Sequence, residues 1–319
     1  MESITKNRQT PDTLRAMVAR AYGPEQVIED DGDWVAELGH GWFNVAYRIR
    51  LRDGRLVVLK IAPPPDIEVM TYERGAMATE LAALRLVAEQ TAVPVPNVDF
   101  ADQSHELCDA DYFFMPFIEG ENLGTLADIT PYREALGVIN RQLNEIRGPW
   151  FGALQGPGAA TWRVCFLGKI EDVLGDGERL GVDLGYGYDV VREAISARAD
   201  ALDEVVEPRF VEWDLFPLNA LVREGEIVGI IDHQRAFYGD PLIEAGFVGI
   251  DLPEIFGDPA PFMRGYGHRS LTADERRRRW LYTLYLALIM VIETKFRQTP
   301  VEQYDKCRAR LDVLIRAGR

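Results

Sequence analysis

Near Gly120 the apolar pattern of the chain changes its period, and a chain with such a change folds as two unlike parts. Before that point the signals are those of strands. Val45, Tyr47, Ile49 and Leu51 alternate with Ala46, Arg48 and Arg50, the pattern of a half-buried strand, and Asp53-Gly54 makes the hairpin turn. Leu56–Ile61 returns and stops at Pro63, Pro64 and Pro65. A helix is expected next, with Met77, Leu81, Leu84 and Ala88 on one stripe, ended by Val93-Pro-Val-Pro96. Tyr112–Ile118 reads as a last apolar strand. After Gly120 amphipathic helical stretches dominate, broken by Gly148-Pro149 and Gln155-Gly-Pro-Gly158. One strand pair interrupts them, Ala220–Val222 and Ile227–Ile231. The expectation is an α+β chain of two lobes. Residues 1–117 would form a small β-rich N-lobe with an N-terminal helix, and residues 118–319 a larger, mostly helical C-lobe.

The residues suited to chemistry cluster in two places. The first is Val211-Glu-Trp-Asp-Leu-Phe-Pro-Leu-Asn219, followed by a hairpin that ends in Gly229-Ile-Ile-Asp232. Phosphoryl transfer needs a group to orient or deprotonate the attacking hydroxyl, and carboxylate and amide oxygens for Mg²⁺. Asp214 and Asn219 have the spacing of a kinase catalytic loop, and the hairpin would fold Asp232 back beside Asn219. Each has a plain alternative as a turn residue or a strand end. The order of the three, with the hairpin between them, favours the phosphate chemistry.

The second place is the N-lobe. Gly39-His-Gly-Trp-Phe-Asn44 lies between strands, where the bare backbone of Gly39 and Gly41 could approach phosphates, although such turns are common. Lys60 lies in an apolar strand on the face of Leu56 and Val58, where a lone ammonium is costly. It needs a carboxylate or a phosphate unless it snorkels from an edge. Glu80, on the apolar stripe of the following helix, is one candidate partner and Glu73 another.

The order of these motifs resembles the aminoglycoside phosphotransferase-like kinase superfamily, which also holds choline, homoserine, fructosamine and macrolide kinases. The resemblance runs over about residues 30 to 250 and is tightest over Phe210–Ala245, with Gly239-Asp240-Pro241 included. It implies a kinase-like fold with ATP, or GTP, held between the lobes with Mg²⁺. Gly39, Gly41 and Asn44 would then lie at the phosphates, Lys60 would contact them, and Glu80 rather than Glu73 would align Lys60. Met115 to Phe117 would be the hinge beside the base, Asp214 the catalytic residue, and Asn219 and Asp232 the metal ligands. Asp240 is expected to stabilise the loop through backbone hydrogen bonds. Two departures stand out: Glu212-Trp213-Asp214 replaces the usual His-Gly-Asp, and His233-Gln234 replaces an aromatic residue followed by an acid.

Composition narrows the rest. With 51 acidic against 35 basic side chains the net charge is −16, which opposes non-specific nucleic-acid binding. The surplus serves solubility, and it would also favour a cationic acceptor, an aminoglycoside or an amino alcohol, over which a sugar stays open. The longest apolar run, Trp280–Ile292, is too short for a bilayer. Three scattered cysteines and an N-terminus without an apolar stretch fit a cytoplasmic protein, expected as a monomer or homodimer. The four histidines include no His-Glu-x-x-His, and neither a Gly-x-Ser-x-Gly elbow nor a Walker A loop occurs. Arg276–Arg279 reads as a solvated helical face, and Trp280, Tyr282 and Tyr285 as core. A small-molecule kinase is the expectation. The rival is a catalytically silent kinase-like protein that binds a nucleotide or a partner.

Overall fold

The computed structural model describes residues 3–29, 32–39, 41, 43–267 and 270–317; His40, Trp42 and His268 lie outside them. Helix α1 (Pro11–Tyr22) starts at Thr10, whose hydroxyl accepts the Thr13 N–H, with Pro11 in the first turn where no donor is needed. There follow β1 (Val35–Glu37), β2 (Val45–Arg50), β3 (Leu56–Ile61), α2 (Ala76–Gln90), β4 (Phe100–Asp102) and β5 (Tyr112–Pro116). The strands form one antiparallel sheet in the order β1-β2-β3-β5-β4. Gly54 makes the β2–β3 turn at φ +90°, a conformation that strains any side-chain-bearing residue.

Both faces of this sheet are covered, which explains why β3 is apolar apart from Lys60. Val45, Ile49, Val57 and Leu59 pack with Leu14, Met17 and Val18 of α1. Val58, Phe113 and Met115 pack with Met77, Leu81 and Leu84 of α2. Register puts Lys60 opposite Ala46 and Phe113, on the α2 side. Ala88, expected on the apolar stripe, is exposed, and the stripe against the sheet ends at Leu84. A second face of α2, Ala83 and Val87, is fully buried and joins Met70 and Val93 in the core of the larger lobe.

The larger lobe contains β6 (Glu121–Asn122), α3 (Thr130–Asn144), β7 (Gly152–Ala153), α4 (Trp162–Arg179), α5 (Tyr188–Ser196), β8 (Arg209–Val211), β9 (Ala220–Arg223), β10 (Glu226–Ile230), β11 (Phe237–Gly239), α6 (Pro253–Phe256), α7 (Ala260–Tyr266), α8 (Ala273–Phe296) and α9 (Val301–Ala317). Two small sheets, β10-β9-β6 and β7-β11-β8, brace it. The architecture is a two-lobed α+β fold with a mostly helical second lobe.

Helix α8 runs through the centre of this lobe, with Leu281, Leu284, Leu288 and Ile292 fully buried, and Tyr282 and Tyr285 in the same core. The arginine run at its start corrects the expectation of a solvated face. Arg278 is buried, with Nε 2.9 Å from Asp240 Oδ2, and Arg279 is buried with Nη2 3.0 Å from Asp251 Oδ2. Each buried cation is matched by a carboxylate from a loop that the sequence alone does not bring near. Among the described residues no helix is long and apolar enough to cross a membrane. Cys108, Cys165 and Cys307 are free thiols.

Candidate active site

Lys60 connects the two lobes. Its Nζ lies 2.7 Å from both carboxylate oxygens of Glu80 and 2.7 Å from Oδ1 of Asp232. Burial opposes the charge on Lys60, but the carboxylates of Asp232 and Glu80 outweigh it and raise its pKa. Burial likewise works against ionisation of Asp232, and the Lys60 ammonium overcomes it, holding Asp232 below the ordinary carboxylate range. Glu73, the rival partner for Lys60, instead accepts from Arg297 and from the Met70 N–H.

The β9–β10 hairpin does the folding back that the sequence suggested. Ile231 N–H donates to Asn219 O at 2.9 Å, which sets Asp232 next to Asn219. Asn219 Nδ2 donates to the Asp214 carbonyl at 2.8 Å, so the amide is held to the loop. Asp232 has φ +71° and Trp213 φ +60°, conformations uncommon for side-chain-bearing residues. Asp214 is desolvated, and burial raises its pKa against the pull of Arg235.

The substituted loop residues form a pair. His233 Nδ1 is 2.8 Å from Glu212 Oε2 and its Nε2 is 3.1 Å from Ile230 O, with both side chains buried. Both ring nitrogens therefore face acceptors. Although burial disfavours the imidazolium, the Glu212 carboxylate raises the His233 pKa. Gln234 accepts from Asn44 Nδ2 at 3.0 Å, so Asn44 is a buried tie between lobes, with its Oδ1 unpartnered among the described residues.

Glu244 is the residue that sequence reasoning missed. Its oxygens accept from the backbone N–H of Glu212 at 2.9 Å, from that of Trp213 at 2.8 Å, and from Asn144 Nδ2 at 2.8 Å. The role expected of Asp240 thus falls to Glu244. Asp240 caps its own turn through Leu242 N–H and receives Arg278 and Tyr282. The signal for Glu244 was an acid inside Leu242-Ile-Glu-Ala-Gly-Phe247, an apolar stretch where a carboxylate needs donors.

Other expected residues lie further from this group. Gly39 and Gly41 sit in the β1–β2 turn without positive φ; a Cβ on Gly41 would stand 3.1 Å from Asn44 O, and one on Gly39 would meet nothing within 4 Å. Met115 pairs with Val58 in the sheet, and the Phe117 N–H is donated to Leu56 O. The donor set fits magnesium: a carboxylate, Asp232, beside a fixed carboxamide, Asn219, the sparse hard-oxygen set that leaves room for phosphate and water. Among the described residues no three His, Cys, Asp or Glu side chains converge as a metal cage.

The sequence model of the phosphotransferase enzyme family matches residues 34–281. A subtelomeric hrmA-associated cluster protein of Aspergillus fumigatus is 26% identical over 136 residues, 40% of this chain and 26% of that protein, so the match spans about a quarter of the curated relative. Among solved structures, a thermostable mutant of aminoglycoside phosphotransferase APH(4)-Ia in ternary complex with ADP and hygromycin B is similar. It aligns with a TM-score of 0.66 at 20% identity over 96% of this chain and 99% of that one. A Thermobifida fusca protein assigned as a fructosamine-3-kinase aligns with a TM-score of 0.65 at 21% identity, over 94% of this chain and all of the other.

Proposed function

Since the chain belongs to the phosphotransferase enzyme family, we propose that it transfers the γ-phosphate of Mg²⁺-bound ATP to a small-molecule hydroxyl. The observation that carries this reading is the Lys60 ammonium, bonded at once to Glu80 and to Asp232 of the other lobe. A merely structural ion pair needs one carboxylate. The second, drawn from across the cleft, is a group that phosphate oxygens and a cation would separate from Lys60 when they bind. That similar structures hold ADP with hygromycin B supports the same use of the cleft here.

In this reading Lys60, aligned by Glu80, neutralises phosphate charge, and Asp232 with Asn219 holds the ion. Magnesium, when bound, offsets negative charge on the phosphates and on the departing nucleotide. Gly39 and Gly41 cover the phosphates. The base lies along β5, where the Phe117 N–H is already committed to the sheet; the Pro116 carbonyl, on the strand's other edge, is the acceptor left for it. Asp214 orients the acceptor hydroxyl and takes its proton as the oxygen attacks the γ-phosphorus. The bridging P–O bond breaks and ADP leaves with the electron pair. Most of the rate comes from positioning, which is what the Glu244 and Asn219 bonds to the loop secure.

ADP release with Mg-ATP across a hydroxyl panel tests the reading. Asp214→Ala should lower turnover by about two to four orders of magnitude. Asp232→Ala should weaken Mg-ATP binding in titration calorimetry. Unchanged binding in Asp232→Ala together with undetectable turnover in the native chain would instead favour the silent rival.

A further inference from the structure

Beside Asp214 the cavity is lined by a guanidinium, Arg235, that makes no hydrogen bond among the described residues. Arg235 reaches in from the segment between Asp232 and β11. Its Nε is 3.9 Å from Asp214 Oδ2 and its Nη2 is 3.8 Å from Glu293 Oε1, both too long for hydrogen bonds. Its guanidinium lies 5.3 Å from the Tyr72 ring and 5.6 Å from that of Trp213, and the side chain keeps 21% of its surface open. Among the described residues it makes no hydrogen bond. The Tyr72 hydroxyl and Nη1 of Arg297 are buried and likewise without partners. Arg297 and Arg235 approach the same oxygen, Glu293 Oε1, so the two guanidinium groups share one side of the site.

The acids on that side are already engaged. Glu73 takes Arg297 and the Met70 N–H, Glu293 takes Arg297, and Asp214 is needed for the hydroxyl. The space is also small. Trp213, at 5.4 Å from the Tyr285 ring and 5.9 Å from that of Tyr72, closes the wall, and the cavity it lines with Asp214, Phe216 and Arg235 holds about 20 Å³. Arg235 is the cation among the residues that line this cavity, and its N–H groups, free of hydrogen bonds, suit a planar or tetrahedral oxyanion.

We infer that the acceptor is a small anionic hydroxyl compound, carrying a carboxylate or phosphate near its reactive hydroxyl, and that Arg235 binds that anion. This rests on the kinase reading above and replaces the cationic acceptor that net charge alone would suggest. The overall −16 is spread over the chain, whereas the acceptor meets the local donors.

The test is ADP release by the full chain with Mg-ATP and matched probes. Glycolate and glycerol 3-phosphate are the anions, ethylene glycol and glycerol the neutral counterparts, and ethanolamine and hygromycin B the cations. Binding of the same probes is followed by calorimetry. The expected result is at least a tenfold higher kcat/KM, or tenfold tighter binding, for the anions. Arg235→Gln should bring that ratio to within about threefold of unity, mainly through KM, and Arg235→Lys should recover part of it. Preference for neutral or cationic probes, no anion binding at all, or an anion preference that survives in Arg235→Gln would overturn the inference. A loss in Arg235→Gln equal for all acceptors would overturn it as well, and would assign Arg235 to the transferred phosphate. The kinase reading is judged separately, by Mg-ATP binding and its loss in Asp232→Ala.

Discussion

Replacing His233 by Phe tests whether the Glu212–His233 pair is a joint of the fold. The substitution removes the imidazole 2.8 Å from Glu212 Oε2 and leaves that side chain 1% exposed without its partner. Removing one partner of a buried pair costs about 3–5 kcal/mol. Glu212→Leu is milder, because His233 can release its proton and keep one bond to Ile230 O, and about 1–3 kcal/mol is expected. The double variant replaces both by apolar groups of similar bulk, a change that is often nearly neutral, so it should lie within about 1 kcal/mol of the native chain. For 319 residues, unfolding entropy converts 1 kcal/mol into about 1.5 °C. His233→Phe should therefore lower Tm by about 4–8 °C, and the double variant should recover most of that. Urea titrations followed by circular dichroism give the same cycle in free energies. If the two single effects simply add in the double variant to within about 0.5 kcal/mol, the pair is not coupled and the reasoning fails.

Burial raises Glu244 from 4.5 to about 7 even though Asn144 and the Glu212 N–H draw it down, so it takes up a proton on folding. Its contribution is fully present below pH 4.5 and is lost as pH rises through about 7, an effect near 3 kcal/mol. The urea midpoint should fall across that window, and Glu244→Gln should flatten the fall. Trp213→Gly relieves the left-handed backbone but removes a large buried ring. A net loss of about 2–4 kcal/mol is expected, with turnover of bulkier acceptors gained; a thermal melt and an acceptor panel read both. Lys60→Met leaves Glu80 and Asp232 without their shared cation. Mg²⁺ should then raise Tm more in the variant than in the native chain, and equal shifts would contradict the placement of Asp232 as an ion ligand.

The elements that the sequence disclosed are those whose signal is local. The β2–β3 hairpin, the β9–β10 pair and α2 follow from alternation, from Asp53-Gly54 and from helical spacing, and Lys60 stood out as a charge in an apolar strand. What stayed hidden depends on pairing between distant segments. Arg278 and Arg279 look like a surface run until Asp240 and Asp251 arrive 38 and 28 residues away. Strands β6 and β7 have two residues each, too few to show a period. Arg235 shows nothing in the sequence beyond a basic residue near an aspartate. Its meaning comes from Asp214, Glu293 and Tyr72 gathering around it.

The seating of α2 bears on how such an enzyme could be controlled. Because Ala83 and Val87 belong to the interior of the other lobe, the helix that carries Glu80 cannot swing outward without unpacking that interior. Exposing the Val87 side chain alone costs about 1.5–3 kcal/mol. Any displacement of this helix must meet that cost from the core of the larger lobe. The same packing holds Glu80 in reach of Lys60.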